Sequence, residues 1–274
     1  MSETAFYSPR NDNAVDYALQ ITRNYLSMLD RRAIALDGAT VVEIGPGADF
    51  AAALAVASLG ATVALADRFL APWDPAFHPD FYRAFLDRYD GPNGAIRAVV
   101  ERGGYEGALR LLPEAAEDLR GVKDASVDVV LSNAVLEHVR DLAQVAREMA
   151  RITRTGGTNS HQIDCRDHKN FGRPLDHLLV PEGDFAVERE KQGCMRGTQM
   201  RMQEIAETFA PDFWLDEMEP NCFAEGDYLD EITPLLQGRF KRFPRQSLRI
   251  TGGRLWLTRK TPAPKPRRRL FGLG

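Results

Sequence analysis

The stretch Val41-Val-Glu-Ile-Gly-Pro-Gly-Ala-Asp-Phe50 constrains this chain more than any other. A short apolar run enters a turn carrying two glycines, and an alanine-rich segment of helical character follows. Glycine admits backbone conformations closed to other residues and lets a ligand approach bare main chain. Asp67 ends the next apolar run about twenty residues beyond Gly47, the spacing at which an acidic side chain reaches ribose hydroxyls in strand–turn–helix sites. The combination is a nucleoside-binding half-site.

Strands and helices alternate around that unit. Residues 40–44 and 62–66 read as strands, joined by a helix over 50–59 that Gly60 stops. Residues 127–131 form another strand. Leu136, Val139, Leu142, Val145, Met149 and Ile152 then recur at three- and four-residue spacing, predicting an amphipathic helix over 135–152 closed by Thr155-Gly-Gly157. A strand over 158–163 follows. Strand-like segments at 213–219 and 254–259 suit an antiparallel pair on the edge of a parallel sheet. A helix over 13–36 precedes the first strand and could cover a ligand or pad the sheet. The order predicts one α/β domain over 1–260, a mostly parallel sheet covered on both faces. Two segments, 68–94 and 166–200, are insertions leaving the carboxyl ends of strands, where open α/β sheets bind ligands. Residues 261–274, rich in proline and arginine, are read as a disordered basic tail.

Composition sets limits on function. The 274 residues carry a net charge of −4, so no global basic footprint for nucleic acid exists. No apolar stretch is long enough to span a bilayer and the first residues lack a signal-peptide pattern, so a cytoplasmic location is expected. Cys165, Cys194 and Cys222 have no CxxC spacing and read as reduced, mostly buried thiols.

The glycine turn discriminates between cofactors. A dinucleotide site asks for a third glycine so that helix packs tightly on strand and pyrophosphate sits at the helix N-terminus. Phe50 fills that slot, Pro46 removes a backbone donor, and Glu43 sets a negative charge at the strand end. These features suit a cationic ligand without phosphate, and S-adenosylmethionine, with its sulfonium and ammonium, is one. Glu43-Ile-Gly-Pro-Gly47, Asp67 and Asp128-Val-Val-Leu-Ser-Asn-Ala-Val-Leu-Glu-His138 occur in order. On those motifs the chain resembles the class I S-adenosylmethionine-dependent methyltransferases, of the type 11-like kind. The resemblance implies a Rossmann-like three-layer sandwich whose seven-stranded sheet ends in an antiparallel hairpin. It implies Glu43, Gly45 and Gly47 along the methionine moiety, Asp67 on both ribose hydroxyls, Arg68 by the adenine, and Asn133 and Ala134 bordering the methyl donor. Family members often hold the adenine amino group with an aspartate where this chain has Ala115, which leaves Glu117 or Glu114 for that contact. A nicotinamide-dependent oxidoreductase and a non-catalytic cofactor-binding protein are the other readings.

Methyl transfer to an alcohol needs a base near the methyl carbon. Of the five histidines, His168 lies beyond the end of the 158–163 strand, toward the expected cleft. It is the first choice of base, with Asp164 or Asp167 orienting it and His161 second. His138 reads as a helix-packing residue. His161, Asp164, Asp167 and His168 could also ligate a divalent ion, but magnesium prefers clustered carboxylates with water, so no metal is assigned. Trp73, Phe77, Phe81, Tyr82 and Phe85 could line a substrate wall or form a core stripe. Ser160-His-Gln-Ile-Asp-Cys-Arg-Asp-His168, Pro174-Leu-Asp-His177 and Pro72-Trp-Asp resemble bacterial enzymes of glycan and secondary-metabolite pathways. The expected acceptor is therefore a hydroxyl on a sugar, glycan or small natural product. Lys265-Pro-Arg-Arg-Arg269 could touch an anionic membrane surface or simply be solvated.

Overall fold

The computed structural model describes residues 14–261. The basic 262–274 segment and its membrane reading lie outside the described residues. Among the described residues no helix is long and apolar enough to cross a membrane.

Helix α1 (Ala14–Arg31) leads into β1 (Thr40–Ile44), α2 (Ala51–Ala57) and β2 (Thr62–Ala66). Helices α3 (His78–Leu86) and α4 (Gly94–Arg102) precede β3 (Leu109–Leu112). Then come β4 (Val127–Asn133), α5 (Leu142–Ile152), β5 (Thr153–Asp164), α6 (Glu182–Lys191) and α7 (Met202–Phe209). The chain ends with β6 (Phe213–Phe223), α8 (Gly226–Ile232), α9 (Arg245–Arg249) and β7 (Ile250–Arg259). The seven strands form one sheet in the order β3-β2-β1-β4-β5-β7-β6. Pairings from β3 to β5 are parallel, and β7 runs antiparallel to both β5 and β6. This is the three-layer arrangement with a terminal antiparallel hairpin that the sequence predicts.

Strand alternation distributes the core between the two faces. Val41, Val63, Leu65, Val129 and Leu131 face α1, α2, α3 and α4. Val42, Ile44, Ala64, Ala66 and Val130 face α5 and α7, through Val145, Met149, Ile205 and Phe209. A smaller cluster joins Leu175 and Leu178 of the 166–200 segment to Leu229, Ile232, Leu236, Phe240 and Leu248.

Three local expectations needed correction. The predicted 135–152 helix is two pieces: a 3-10 turn over Leu136–His138, then α5. Asp141 caps α5 by accepting from the Gln144 amide at 2.9 Å, which fixes an extended entry to the helix and breaks it from the turn before. Strand β5 begins at Thr153, not 158, and absorbs the Gly156-Gly157 pair as an irregularity opposite Val127 and Val129. Strand β3 was not anticipated. It has four residues, and only Leu109 and Leu112 point inward, too short a pattern to read.

The aromatic segment is core. Trp73 stacks on His78 and Tyr82, with ring centroids 5.0 and 6.0 Å apart, and meets Tyr105 edge-on. Phe81, Tyr82 and Phe85 are buried in the α1–α4 layer. The segment also buttresses the glycine turn. His78 accepts from the Asp74 amide through Nδ1 and donates through Nε2 to the Ala48 carbonyl at 3.2 Å, and the Tyr82 hydroxyl donates to the Asp49 carbonyl.

Candidate active site

The turn between β1 and α2 is built from left-handed backbone. Gly45 has φ 62°, Gly47 φ 77° and Phe50 φ 55°. A side chain at Gly45 would strike Val135, with Cβ only 2.5 Å from its Cγ2, so glycine is required there both by conformation and by space. Phe50 tolerates its strained position because its ring is buried against Tyr105, at 4.8 Å between centroids. The Asp49 carboxylate accepts from the Ala51 amide and starts α2.

A cavity of about 660 Å³ opens above this turn. Its wall takes Glu43, Gly45, Gly47 and Asp49 from the first strand–turn unit, Asp67 and Arg68 from the end of β2, and Glu114 and Glu117 after β3. Asn133, Ala134 and His138 come from the end of β4, Tyr17 from α1, and Gly193 and Met195 from the loop after α6. The structure thus brings together all eight residues singled out for cofactor contact: Glu43, Gly45, Gly47, Asp67, Arg68, Glu117, Asn133 and Ala134. Helix α1 closes one side, with the Asn133 amide donating to the Tyr17 hydroxyl at 3.0 Å.

The cavity wall is electrically one-sided near the turn. Glu43 is only 4% exposed and has no basic ion-pair partner among the described residues. Burial lifts its carboxyl to about 8, the Tyr25 hydroxyl opposes this, and Asp49 adds to it. Asp49 is likewise raised by burial, to about 6, despite the Ala51 amide. Two acids with no cation between them make a place for a positive ligand group. Sequence reading missed Asp49, although an acid inside the glycine turn was a visible signal. Farther along, one Asp67 oxygen accepts from the Phe69 amide at 2.8 Å, which holds the carboxylate on a turn with acceptor capacity to spare. Glu114 is engaged by the Gly121 amide and Glu117 by the Arg140 amide, at 2.9 and 2.8 Å.

The proposed catalytic residues separate in space. His161 is fully buried on the α5–α7 face, stacked on Phe209 and hydrogen-bonded through Nδ1 to Ser132 at 2.8 Å. Burial first, then Arg254, depresses its pKa to about 3. It is a neutral core histidine and does not line the cavity, so it cannot serve as the second base. Asp164 does not orient His168: its carboxylate grips Arg166, with contacts of 2.6 to 3.1 Å. Burial alone would raise Asp164, but the Arg166 bonds outweigh it and hold the acid below its usual value. Asp167 accepts from the Lys169 amide and faces Arg196 instead.

His168 meets His138, ring centroids 4.8 Å apart and edge to face. His138, read from sequence as a packing residue, lines the cavity, and His168 stands behind it. The His138 Nδ1 donates to the Cys194 carbonyl at 3.0 Å, which leaves Nε2 as the lone-pair nitrogen. Burial, only partly offset by that bond, lowers the His138 pKa. Gly197 presses on His168; a Cβ there would lie 2.4 Å from Nδ1. Beside the pair sits Glu137, fully buried, with one oxygen accepting from the Asp164 amide at 3.1 Å and the other without a partner. Burial raises Glu137 to about 8.

Comparison with known proteins bears on this site. Residues 86–159 match the family model described as a methyltransferase domain. No curated protein matches the chain by sequence. Among solved structures, phosphoethanolamine N-methyltransferase 2 of Haemonchus contortus, in complex with S-adenosyl-L-methionine, is similar with a TM-score of 0.51 at 14% identity. That alignment covers 93% of this chain and 58% of the other. Geranyl diphosphate C-methyltransferase of Streptomyces coelicolor A3(2) is similar with a TM-score of 0.48 at 13% identity, over 94% of this chain and 88% of that one. At 14% identity the first of these likenesses speaks to the fold alone.

Proposed function

We propose that this chain is an S-adenosylmethionine-dependent methyltransferase, in line with the methyltransferase-domain match over residues 86–159, and that it methylates a hydroxyl on a sugar, glycan or small natural product. The supporting observation is the position of the two imidazoles relative to the cofactor wall. Asp67 accepts the ribose hydroxyls, Arg68 and Glu117 flank the adenine, and Glu43 with Asp49 faces the cationic amino-acid portion. Gly45 and Gly47 let the main chain approach it. Asn133 and Ala134 then border the methyl group, and His138 with His168 behind it stands on the continuation of the same wall.

An alcohol holds its proton too tightly to attack a methyl group unaided, whereas a neutral amine does not. A site equipped with basic nitrogens beyond the methyl donor is matched to a hydroxyl. The methyl leaves the sulfonium in line as the oxygen attacks, the sulfur keeps the electron pair, and the hydroxyl proton is taken up at the His138–His168 end. The loop after α6 supplies Gly193 and Met195 to the wall, so acceptor shape is read there. Single domain organisation over 1–260 accompanies this reading, with the 166–200 insertion as the acceptor-facing element.

The test is transfer of isotopically labelled methyl from S-adenosylmethionine to matched acceptor panels, sugars and phenols against amines and carbon acids. Label entering hydroxyl acceptors, with loss in His138→Ala while S-adenosylhomocysteine still binds, supports the reading. Label confined to amines or carbon acids overturns it.

A further inference from the structure

Three side chains at the acceptor end satisfy the chemistry of a metal centre. Glu137, His138 and His168 each offer one ligand atom, and these atoms lie within 4.8 Å of one another. Two imidazoles and one carboxylate form a donor set typical of zinc and neighbouring transition ions, and unlike that of magnesium.

Two further observations point to a ligand. One Glu137 oxygen is buried without any hydrogen-bond partner on a residue that is fully enclosed. Such an oxygen is costly to bury unless something pairs with it. The other Glu137 oxygen is fixed by the Asp164 amide, so the free one is held in place. Independently, His138 donates its Nδ1 proton to the Cys194 carbonyl. That outer hydrogen bond is the arrangement that orients a metal-binding imidazole and sets its tautomer.

We infer that Glu137, His138 and His168 bind one divalent transition-metal ion of the zinc class at the acceptor end of the cavity. Bonds of about 2.0–2.2 Å to a tetrahedral ion place ligand atoms roughly 3.3 Å apart. The three side chains would therefore close on the ion by about 1.5 Å. A fourth position would be left for an acceptor hydroxyl or water from the cavity that His138 lines. The inference deepens the hydroxyl reading above and rests on it for its chemical purpose. An ion held there would supply Lewis-acid chemistry, lowering the pKa of an acceptor hydroxyl so that its proton could pass to cavity water before the oxygen attacks the methyl carbon. In that state the two imidazoles ligate and do not take the proton themselves.

The experiment uses the full chain without any affinity tag. Zn(II) and Mg(II) are titrated by calorimetry, and Co(II) by visible absorption, in wild type, His168→Ala, Glu137→Gln and Cys222→Ser. Wild type should bind one Zn(II) and develop a Co(II) ligand-field band, with Mg(II) showing no saturable binding. His168→Ala and Glu137→Gln should each weaken Zn(II) at least tenfold, and Cys222→Ser should leave it unchanged. Thermal unfolding confirms that each variant is folded. His168 is less buried than Glu137, so its variant remains informative if Glu137→Gln fails to fold. No saturable Zn(II) binding, or binding indifferent to the His168 substitution, overturns the site. If Zn(II) does not bind but His138→Ala still abolishes methylation of a hydroxyl, the metal falls and the imidazole-base reading stands. If Zn(II) binds stoichiometrically while no hydroxyl is methylated, the metal site stands and the hydroxyl reading falls.

Discussion

With Glu43 facing the cationic part of the cofactor, as proposed, cofactor affinity should depend on pH. Its carboxyl is buried at the end of β1, and burial lifts its pKa to about 8. A cationic ligand binds the ionised form and repays little to the neutral one. With that pKa the ionised fraction is about 1% at pH 6 and about one half at pH 8, so affinity for S-adenosylhomocysteine should rise about fifty-fold over the interval. Over that range the ammonium of the ligand stays charged. At pH 7 binding should release close to one proton. Folding responds in the opposite sense. A carboxyl whose pKa is raised on folding contributes stability that is complete below the ordinary value of 4.5 and is lost as pH climbs through about 8. The shift of 3.5 units (8 − 4.5) corresponds to a loss on the order of 5 kcal/mol at most. Asp49 loses its smaller share between 3.8 and about 6. Ligand-free protein should therefore have a lower Tm at pH 8 than at pH 6, while the ligand-induced rise in Tm grows. Calorimetry at pH 6, 7 and 8 in two buffers of different ionisation enthalpy reads both affinity and proton release. Glu43→Gln should flatten the pH dependence at the low-affinity end. A wild-type Kd constant within twofold across the range would refute the argument.

Other perturbations separate the two ends of the cavity. Asp67→Ala should abolish the thermal stabilisation by S-adenosylhomocysteine without lowering the Tm of the free protein, because its carboxylate serves only a local turn. Gly45→Ala forces a β-carbon onto Val135 in left-handed backbone and should cost about 1–3 kcal/mol; chemical denaturation measures it, and Val135→Ala in the same chain should restore part. Trp73→Ala should destabilise by about 2–4 kcal/mol through its lost stacking partners, yet leave the acceptor KM unchanged, since Trp73 does not line the cavity.

The cavity wall around the glycine turn was legible because its determinants are local. A glycine turn forces its own geometry, and alternation then carries Glu43 and Asp67 to the same edge of adjacent parallel strands. Nothing in that logic depends on distant residues. The region around His138, His161 and His168 depends on them throughout. Alternation correctly sets His161 and Ile163 on one face, but only the docking of α7 makes that face core, through Phe209. The partnership of His138 with His168 requires the 3-10 turn after β4, which Asp141 creates by capping α5 late. A helix running unbroken from 135, as periodicity suggested, would have pointed His138 elsewhere. The aromatic run from Trp73 to Phe85 had helical spacing, and the common outcome of that spacing, a core stripe, is what folded.

The two halves are also held by different means, and this bears on how acceptor and donor are coupled. The glycine turn is braced from the 68–94 segment, by His78 on the Ala48 carbonyl and Tyr82 on the Asp49 carbonyl. These bonds touch no residue of the acceptor end. That end is braced from the 166–200 segment. Arg189 of α6 donates to the Glu137, Val139 and Gly197 carbonyls, so one guanidinium spans the turn bearing Glu137 and His138 and the loop pressing on His168. The Cys194 carbonyl of the same loop fixes the His138 ring. An acceptor that displaces this loop would therefore disturb the His138 ring, while the glycine turn keeps its own bracing from the first segment.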